Sequence, residues 1–392
     1  MYRITASLKS PLMVGGKTLN SNYRESRDYI PGSVLRAAYA KALVHRCVCE
    51  QKNYWLEYKD KDACKECEFR TVCKNFSEIT FPALYPMGAA PYPFTAREEK
   101  YRNKGVESVL DILKSRLEKK EKDKRESNWK RLEGFQKDGV RVRLLHSAIT
   151  RTAIDYRRSV AKESALYTQN VIVEKYLNQE NELEDVVFSG EMNLSPEEEK
   201  ELRLLKVLYI GADITRGFGK CHMSYERELE EDTAEKIVKR VREFNDNLTE
   251  ESPYVVVDFL TDAYLGLEEI GTDSMSQTDI ADEEMLAFLA KKMGLSEEKY
   301  RITKIFKSQE ILRGFDTSKG SEKEMRRNSH MVVKAGAVFV YQSLSDNIDG
   351  EELLELEKRG IGRHREHGFG KIHICDEFHM KYDVLKGDNQ NG

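Results

Sequence analysis

No stretch of this chain is apolar for long. Apolar runs such as Tyr254 to Val257 fall well short of the roughly 18–20 residues a membrane-spanning helix requires, so no such helix and no membrane partner are expected. Proline is scarce, at 8 in 392 residues, and with only 24 glycines this excludes a collagen-like or proline-rich linker protein. The first residues, Met1-Tyr2-Arg3-Ile4-Thr5, contain no basic segment leading into an apolar one. No secretory signal is read there, and a soluble, cytoplasmic protein is expected. What is present is 40% apolar and 34% charged residues, with 15 Phe and 19 Tyr. Aromatic content of that order is too high for a disordered chain, and at about 150 residues per domain the length suggests two or three domains.

The net charge of −4 argues by itself against a nucleic-acid binder, but the charge is segregated. Residues 100–143 hold 15 basic and 8 acidic groups, net +7; 226–300 hold 8 and 21, net −13; 301–334 hold 9 and 4, net +5. Such a distribution can place a basic face on an acidic body, and a polyanion responds to the local field rather than to the total. The plain alternative, above all for 114–130, is a solvated helix surface.

Seven cysteines, an odd number, in a chain with no signal segment argue against a disulfide framework. Five fall within 27 residues: Cys47, Cys49, Cys64, Cys67 and Cys73. The spacing C-x-C, then C-x-x-C, then a further Cys suits a tetrahedral structural Zn²⁺, with Cys64, Cys67, Cys73 and one of Cys47 or Cys49 as ligands. The polar loop from Gln51 to Asp62 has little apolar content of its own, and a metal clip would order it. Reduced free thiols are the alternative. Four thiolates leave no open position, so a catalytic zinc is not expected. Cys221 and Cys375 lie in alternating patterns and read as core.

An internal duplication carries more information. Gly211-Ala212-Asp213-Ile214-Thr215-Arg216-Gly217-Phe218-Gly219-Lys220 and Gly362-Arg363-His364-Arg365-Glu366-His367-Gly368-Phe369-Gly370-Lys371 share the form G-x5-G-F-G-K. Each follows a helical segment, Ser195 to Leu208 (Ser195 as N-cap, Pro196 at the first helical position) and Glu351 to Arg359. Each runs into a short strand, Cys221 to Tyr225 and Ile372 to Cys375, and each helix is preceded by strand-like sequence. Two copies of one supersecondary unit are implied. Neither copy is a Walker A loop, because the required Gly and Ser/Thr positions hold Ile214 and Cys221, and Arg365 and Ile372. The glycines suit a tight turn that an anion or another backbone can approach closely, and Arg216, Lys220, Arg363, Arg365 and Lys371 surround them with charge.

In the N-terminal third, 2–14 reads as a first strand, and Tyr29-Ile30-Pro31-Gly32-Ser33 as a turn into a helix. The apolar stripe of that helix is Leu35, Ala38, Tyr39, Ala42 and Leu43, with Arg36 off the stripe. A proline-rich loop at 82–94 leads through Arg97 to a charged helix expected over 106–125. Arg151, Arg157, Arg158 and Lys162 stand near Tyr156 and Tyr167 and offer phosphate contacts beside a stacking surface; taken singly, each is an ordinary surface residue.

Together these motifs resemble the RAMP superfamily, the repeat-associated subunits of CRISPR effector complexes. Within it they are similar to the Csx-ten, Cas-five-like subunits of subtype III-D. The residues concerned are Tyr29 to Ala38, the Cys cluster after that helix, Thr152 to Asp155, Glu163 to Tyr167 and both glycine-rich loops. The resemblance implies an α+β fold of two tandem ferredoxin-like (RRM-like) domains, 1–228 and 229–392. The first would carry a zinc-binding insertion near 47–75 and a charged helical insertion near 98–145. It implies an RNA-binding structural subunit of an antiviral type III effector that holds the 5′ handle of the CRISPR RNA and caps the backbone filament. Its partners would be the CRISPR RNA, the large polymerase-nuclease and backbone subunits, and target RNA indirectly. The candidate RNA-binding residues are Arg36, Arg97, Arg151, Arg157, Arg158, Lys162, Arg216, Gly217, Gly219, Lys220, Arg363, Arg365, Gly368, Gly370 and Lys371.

No catalytic constellation is visible, and no enzyme is expected. The competing expectation is a metal-independent CRISPR RNA endoribonuclease. It would need a His held beside a basic group, with His146, His364 and His367 as candidates. Two further readings are a target-cleaving subunit using Asp155, which has no carboxylate partner in the sequence pattern, and a zinc-stabilised interaction module without RNA. Paired basic loops argue against the last.

Overall fold

The computed structural model describes the chain except for residues 21, 48, 50–55, 57, 60–61, 101–108, 119–127, 156, 178–181, 228–231, 247, 251, 267–282, 313–329, 346 and 385–392. It is an α+β protein of largely antiparallel sheets. Its contacts divide the chain into two units. The first comprises 1–89, 143–229 and 366–368; the second comprises 90–142, 230–365 and 369–392. Among the described residues no helix is long and apolar enough to cross a membrane.

In the first unit the sheet runs Val207–Tyr209, Lys220–Arg227, Tyr2–Leu8, Val187–Met192, Tyr85–Pro86. Helix Gly32–Arg46 follows the Tyr2–Leu8 strand, and helix Pro196–Leu202 follows Val187–Met192. Strand, helix, two strands, helix, strand, with spatial order 4-1-3-2 and an extra edge strand, is the βαββαβ arrangement. Leu35, Ala38, Tyr39 and Leu43 of the first helix are buried against Ile4, Ala6 and Leu8, as the stripe predicts. The second helix begins where the sequence signals. The Ser195 side chain accepts the Glu198 backbone N–H at 3.2 Å, and the Glu198 carboxylate accepts the Ser195 N–H at 2.9 Å. That reciprocal cap contributes about 1 kcal/mol.

The second unit repeats the arrangement. Its sheet runs Tyr300–Phe306, Val338–Ser343, Tyr254–Phe259, Ile372–Ile374, with helix Glu283–Met293 after the Tyr254–Phe259 strand and helix Gly350–Arg359 after Val338–Ser343. Every residue of Tyr254–Phe259 is buried, which explains its near-continuous apolar run. Asp258 is the exception in character. Its Oδ1 lies 2.7 Å from Nε2 of the fully buried His379, whose Nδ1 meets Asp111. Burial works against a charged His379, but the two carboxylates outweigh it and push its pKa well above the ordinary value.

The duplication extends to single hydrogen bonds. In the first unit Gly219 N–H donates to the Pro11 carbonyl, Ala212 N–H to Met13, and Ile210 N–H to Gly219. In the second, Gly370 donates to Asp262, Arg363 to Tyr264, and Ile361 to Gly370, all within 2.8–3.0 Å. Leu12 bridges to Ile172 as Ala263 bridges to Val333.

The charged stretch departs from expectation. Where a helix over 106–125 was expected, the described part forms a strand, Val109–Asp111, and a short helix, Leu113–Leu117. The strand lies beside Ala96–Glu99, which also pairs with Trp129–Arg131. Residues 90–142 group with the second unit. The physical reason is Asp111. Its carboxylate accepts from Thr95 at 3.2 Å and from Leu113 N–H at 2.7 Å while facing His379, and it fixes the segment beside the 254–259 strand.

Candidate nucleic-acid interface

The long hairpin His146–Asp155 with Val160–Ile172 belongs to the first unit. Cross-strand partners share a face, so the pairs Arg151–Tyr167 and Ile149–Gln169 put these four side chains on one side. The first glycine-rich loop lies over that side. Phe218 is buried with Met13, Val171 and Ile149, and the Arg151 guanidinium stacks 4.5 Å from its ring centroid. Arg216 Nη1 donates to the Tyr167 hydroxyl at 2.6 Å and to Asp213 Oδ1 at 3.2 Å, with its guanidinium 5.8 Å from the Tyr167 ring centroid. Gln169 Nε2 donates to the other Asp213 oxygen at 2.6 Å. Asp213 has φ +55, a left-handed backbone that Asp tolerates better than most residues. Arg157, Arg158 and Lys162 are exposed around the hairpin turn, where Asp155 accepts the Arg157 N–H at 3.0 Å. Tyr156 lies outside the described residues.

Glycine plays two roles in these loops. A Cβ at Gly219 or Gly370 would overlap the carbonyl oxygen of Ile210 or Ile361, so both positions serve the chain's own close approach. Gly217, at φ +93, has open space where a Cβ would point. Gly368 belongs to the first unit, and there a Cβ would meet the backbone of Phe81, Pro82 and Ala83.

Arg36 is half-buried, with its guanidinium 5.0 Å from the Phe76 ring centroid and 5.9 Å from that of Phe81. Burial lowers its pKa, with Glu366 opposing. Lys220 is exposed on the outer sheet face. In the second unit Arg97 Nη1 donates to the carbonyls of Phe94 and Ala96 at 2.7 and 2.9 Å. Arg363 and Arg365 are exposed, and Arg365 Nη1 donates to the Arg359 carbonyl at 3.2 Å. Lys371 is half-exposed beside Thr261, whose hydroxyl accepts its backbone N–H. Sequence reasoning missed Gln169 and Asp213 in the first unit. It also missed Tyr264 and His330 in the second, where the Tyr264 hydroxyl bonds His330 Nδ1 and the ring lies edge-on to His364, 5.3 Å between centroids. His364, at φ +60, holds the loop position that Asp213 holds in the first unit. Shared position in the duplication was the available signal.

Of the other candidates, His146 Nε2 bonds Asp28 Oδ1 at 2.6 Å, and His367 Nε2 lies 3.7 Å from Glu366. Asp232, Glu357 and His373 lie close enough together to bind a cation, but Arg240 already sits among them, 3.3 Å from Asp232, 3.0 Å from Glu357 and 2.7 Å from His373.

None of the five clustered cysteines forms a disulfide. Cys49 and Cys64 Sγ are 3.5 Å apart, near the roughly 3.8 Å that two thiolates span on a tetrahedral zinc. Phe69 N–H points at Cys67 Sγ, 3.5 Å away. Burial pushes the Cys73 thiol up to about 12, with Cys67, Cys47 and Cys64 adding to the rise. Among the described residues no three of these thiols all lie within 4.8 Å of one another. Donor type and the Cys49–Cys64 spacing fit a thiolate-bound metal.

Residues 5–222 match the RAMP superfamily model, more than half of the chain, and the protein belongs to that superfamily. No curated protein matches it. Among solved structures it is similar to a chain of the Type III-B Cmr-beta complex bound to cognate target RNA. The identity is 12%, the TM-score 0.44, and the match covers 94% of this chain and 96% of that one. A chain of the same complex with cognate target RNA and AMPPnP, state 1, has 14% identity, a TM-score of 0.40 and 86% coverage of each.

Proposed function

We propose that this protein is an RNA-binding structural subunit of a type III CRISPR effector complex, built from two tandem ferredoxin-like RAMP domains. In this reading it holds the 5′ handle of the CRISPR RNA, caps the backbone filament and touches the large polymerase-nuclease subunit. The finer assignment, to the Csx-ten subunits of subtype III-D, rests on the sequence motifs. The observation that carries the reading is the duplicated glycine-rich loop in a RAMP chain, which in the first unit lies over a hairpin bearing Arg151, Arg157, Arg158 and Lys162. A structural zinc held by Cys64, Cys67, Cys73 and one of Cys47 or Cys49 belongs to the same proposal.

Catalysis is not part of this role. His146 is engaged by Asp28 beside the hairpin, and Asp155 spends its carboxylate on the turn. The endoribonuclease reading keeps one specific observation in its favour, the Tyr264–His330–His364 cluster. Incubating labelled repeat RNA with pure protein, with and without Mg²⁺, separates the two. The scaffold reading expects a retarded but intact strand. Discrete cleavage lost in His364→Ala or His330→Ala would replace it with the nuclease.

A further inference from the structure

Between the hairpin and the first glycine-rich loop, two polar atoms are buried without a hydrogen-bond partner: Arg151 Nη1 and Gln169 Oε1. They sit one rung apart on the same face of the hairpin. Gln169 is 1% exposed and its amide nitrogen is committed to Asp213, so its oxygen is fixed as an acceptor. A buried amide oxygen and a buried guanidinium N–H each lose free energy when left unpaired, and such pairs are normally explained by a ligand or ordered water. Beside them lies the Tyr167 ring. What covers that ring is Arg216, whose side chain is 52% exposed and which sits one residue before Gly217. Gly217 has left-handed backbone, and nothing lies within 4 Å of where a Cβ would point. Arg216 is therefore the part of this arrangement that can swing away.

We infer that this is a pocket for one unstacked RNA base. The base stacks on Tyr167 with Arg216 returning over it, and its edge accepts from Arg151 Nη1 and donates to Gln169 Oε1. Every RNA base carries an acceptor next to a donor on an edge, so the chemistry selects a nucleobase over bare phosphate before it selects among bases. The inference rests on the RNA-binding reading and adds to it a base-contacting site distinct from the charged groups at the hairpin turn.

The test uses the full-length protein and two fluorescein-labelled single-stranded RNAs of equal length, one ordinary and one with abasic riboses throughout. Fluorescence anisotropy is read across a salt series. The pocket predicts that the abasic strand binds about tenfold more weakly or worse, the scale of one stacked base. Tyr167→Leu removes that discrimination. Arg151→Lys keeps the positive charge but withdraws the planar guanidinium, and with it the Nη1 donor position and the stack on Phe218; measured well below its melting midpoint, it reduces the discrimination while leaving the salt slope unchanged. Equal, salt-dependent affinity for both strands would overturn the pocket and leave phosphate binding standing, with ordered water on the two orphan atoms. No affinity for either strand would overturn the pocket together with the RNA-binding reading.

Discussion

Glycine 219 and glycine 217 stand two residues apart, both with positive φ, and they should answer substitution differently. At Gly219 an added Cβ collides with the Ile210 carbonyl, and neither backbone is free to move apart, because Ile210 N–H donates to the Gly219 carbonyl while Gly219 N–H donates to Pro11. Gly219→Ala is expected to destabilise the first unit by about 3 kcal/mol or more, strain and overlap together. Gly217→Ala meets nothing and costs only the left-handed backbone, about 1 kcal/mol. Denaturant unfolding of the two variants checks the order; equal losses would contradict it. The sequence pattern marked all the loop glycines as special but could not say which were needed by the chain itself. Carbonyls such as Ile210 and Ile361 leave no trace in residue type. Arg97 shows the same limit, because a basic side chain donating to nearby carbonyls looks in sequence like one free to meet phosphate.

The elements that carry buried charge and clustered thiols give two further expectations. His379 ties the Val109–Asp111 strand to the Tyr254–Phe259 strand through Asp111 and Asp258. Removing its charge in His379→Gln leaves two buried carboxylates facing a neutral amide and is expected to cost about 3–5 kcal/mol. Because its pKa is raised on folding, its contribution is fully present below the unfolded value of 6.5 and is lost as pH rises through the folded value. Glu357 works in the opposite sense. Burial alone would raise it, but His373 and Arg240 bring it down to about 2, so its contribution is present above 4.5 and is lost as pH falls toward 2. An acid titration of wild type against Glu357→Gln should show the two curves converging across that window. For the thiols, metal analysis of freshly purified protein should find about one zinc per chain, with Cys64→Ser losing it together with thermal stability. Well under half an equivalent would contradict the site. Helix starts and stripes were legible here because they are local: Ser195, Pro196 and the 35–43 stripe fall where the sequence puts them, although the helix expected to reach Leu208 ends at Leu202 and gives way to the strand Val207–Tyr209. The 106–125 segment was misread because a run of Lys, Glu and Arg has the composition of a solvated helix. One buried Asp whose partner lies 268 residues away decides otherwise.

Across the whole molecule, the duplication was the legible part of the architecture. The two G-x5-G-F-G-K copies align with two sheets of the same strand order and with matching backbone hydrogen bonds. The proposed RNA surface was legible only in part. Charge and aromatic content singled out the 146–172 hairpin, yet the facing of Arg151, Tyr167 and Gln169 toward the loop depends on strand register, which a single sequence does not specify. Binding to single-stranded RNA should weaken with salt at a log–log slope of about −0.7 per phosphate contacted. Exchanging Arg363 and Arg365 together should lower affinity and flatten that slope. An unchanged slope would confine the contact to the Arg151 to Lys162 hairpin. The central claim, that this chain is a CRISPR RNA-holding subunit, is tested most directly by sequencing the RNA that accompanies the protein through purification. The account predicts an excess of absorbance at 260 nm and a population whose 5′ ends share one repeat-derived sequence. Protein free of RNA, or carrying fragments with no common 5′ end, would contradict it.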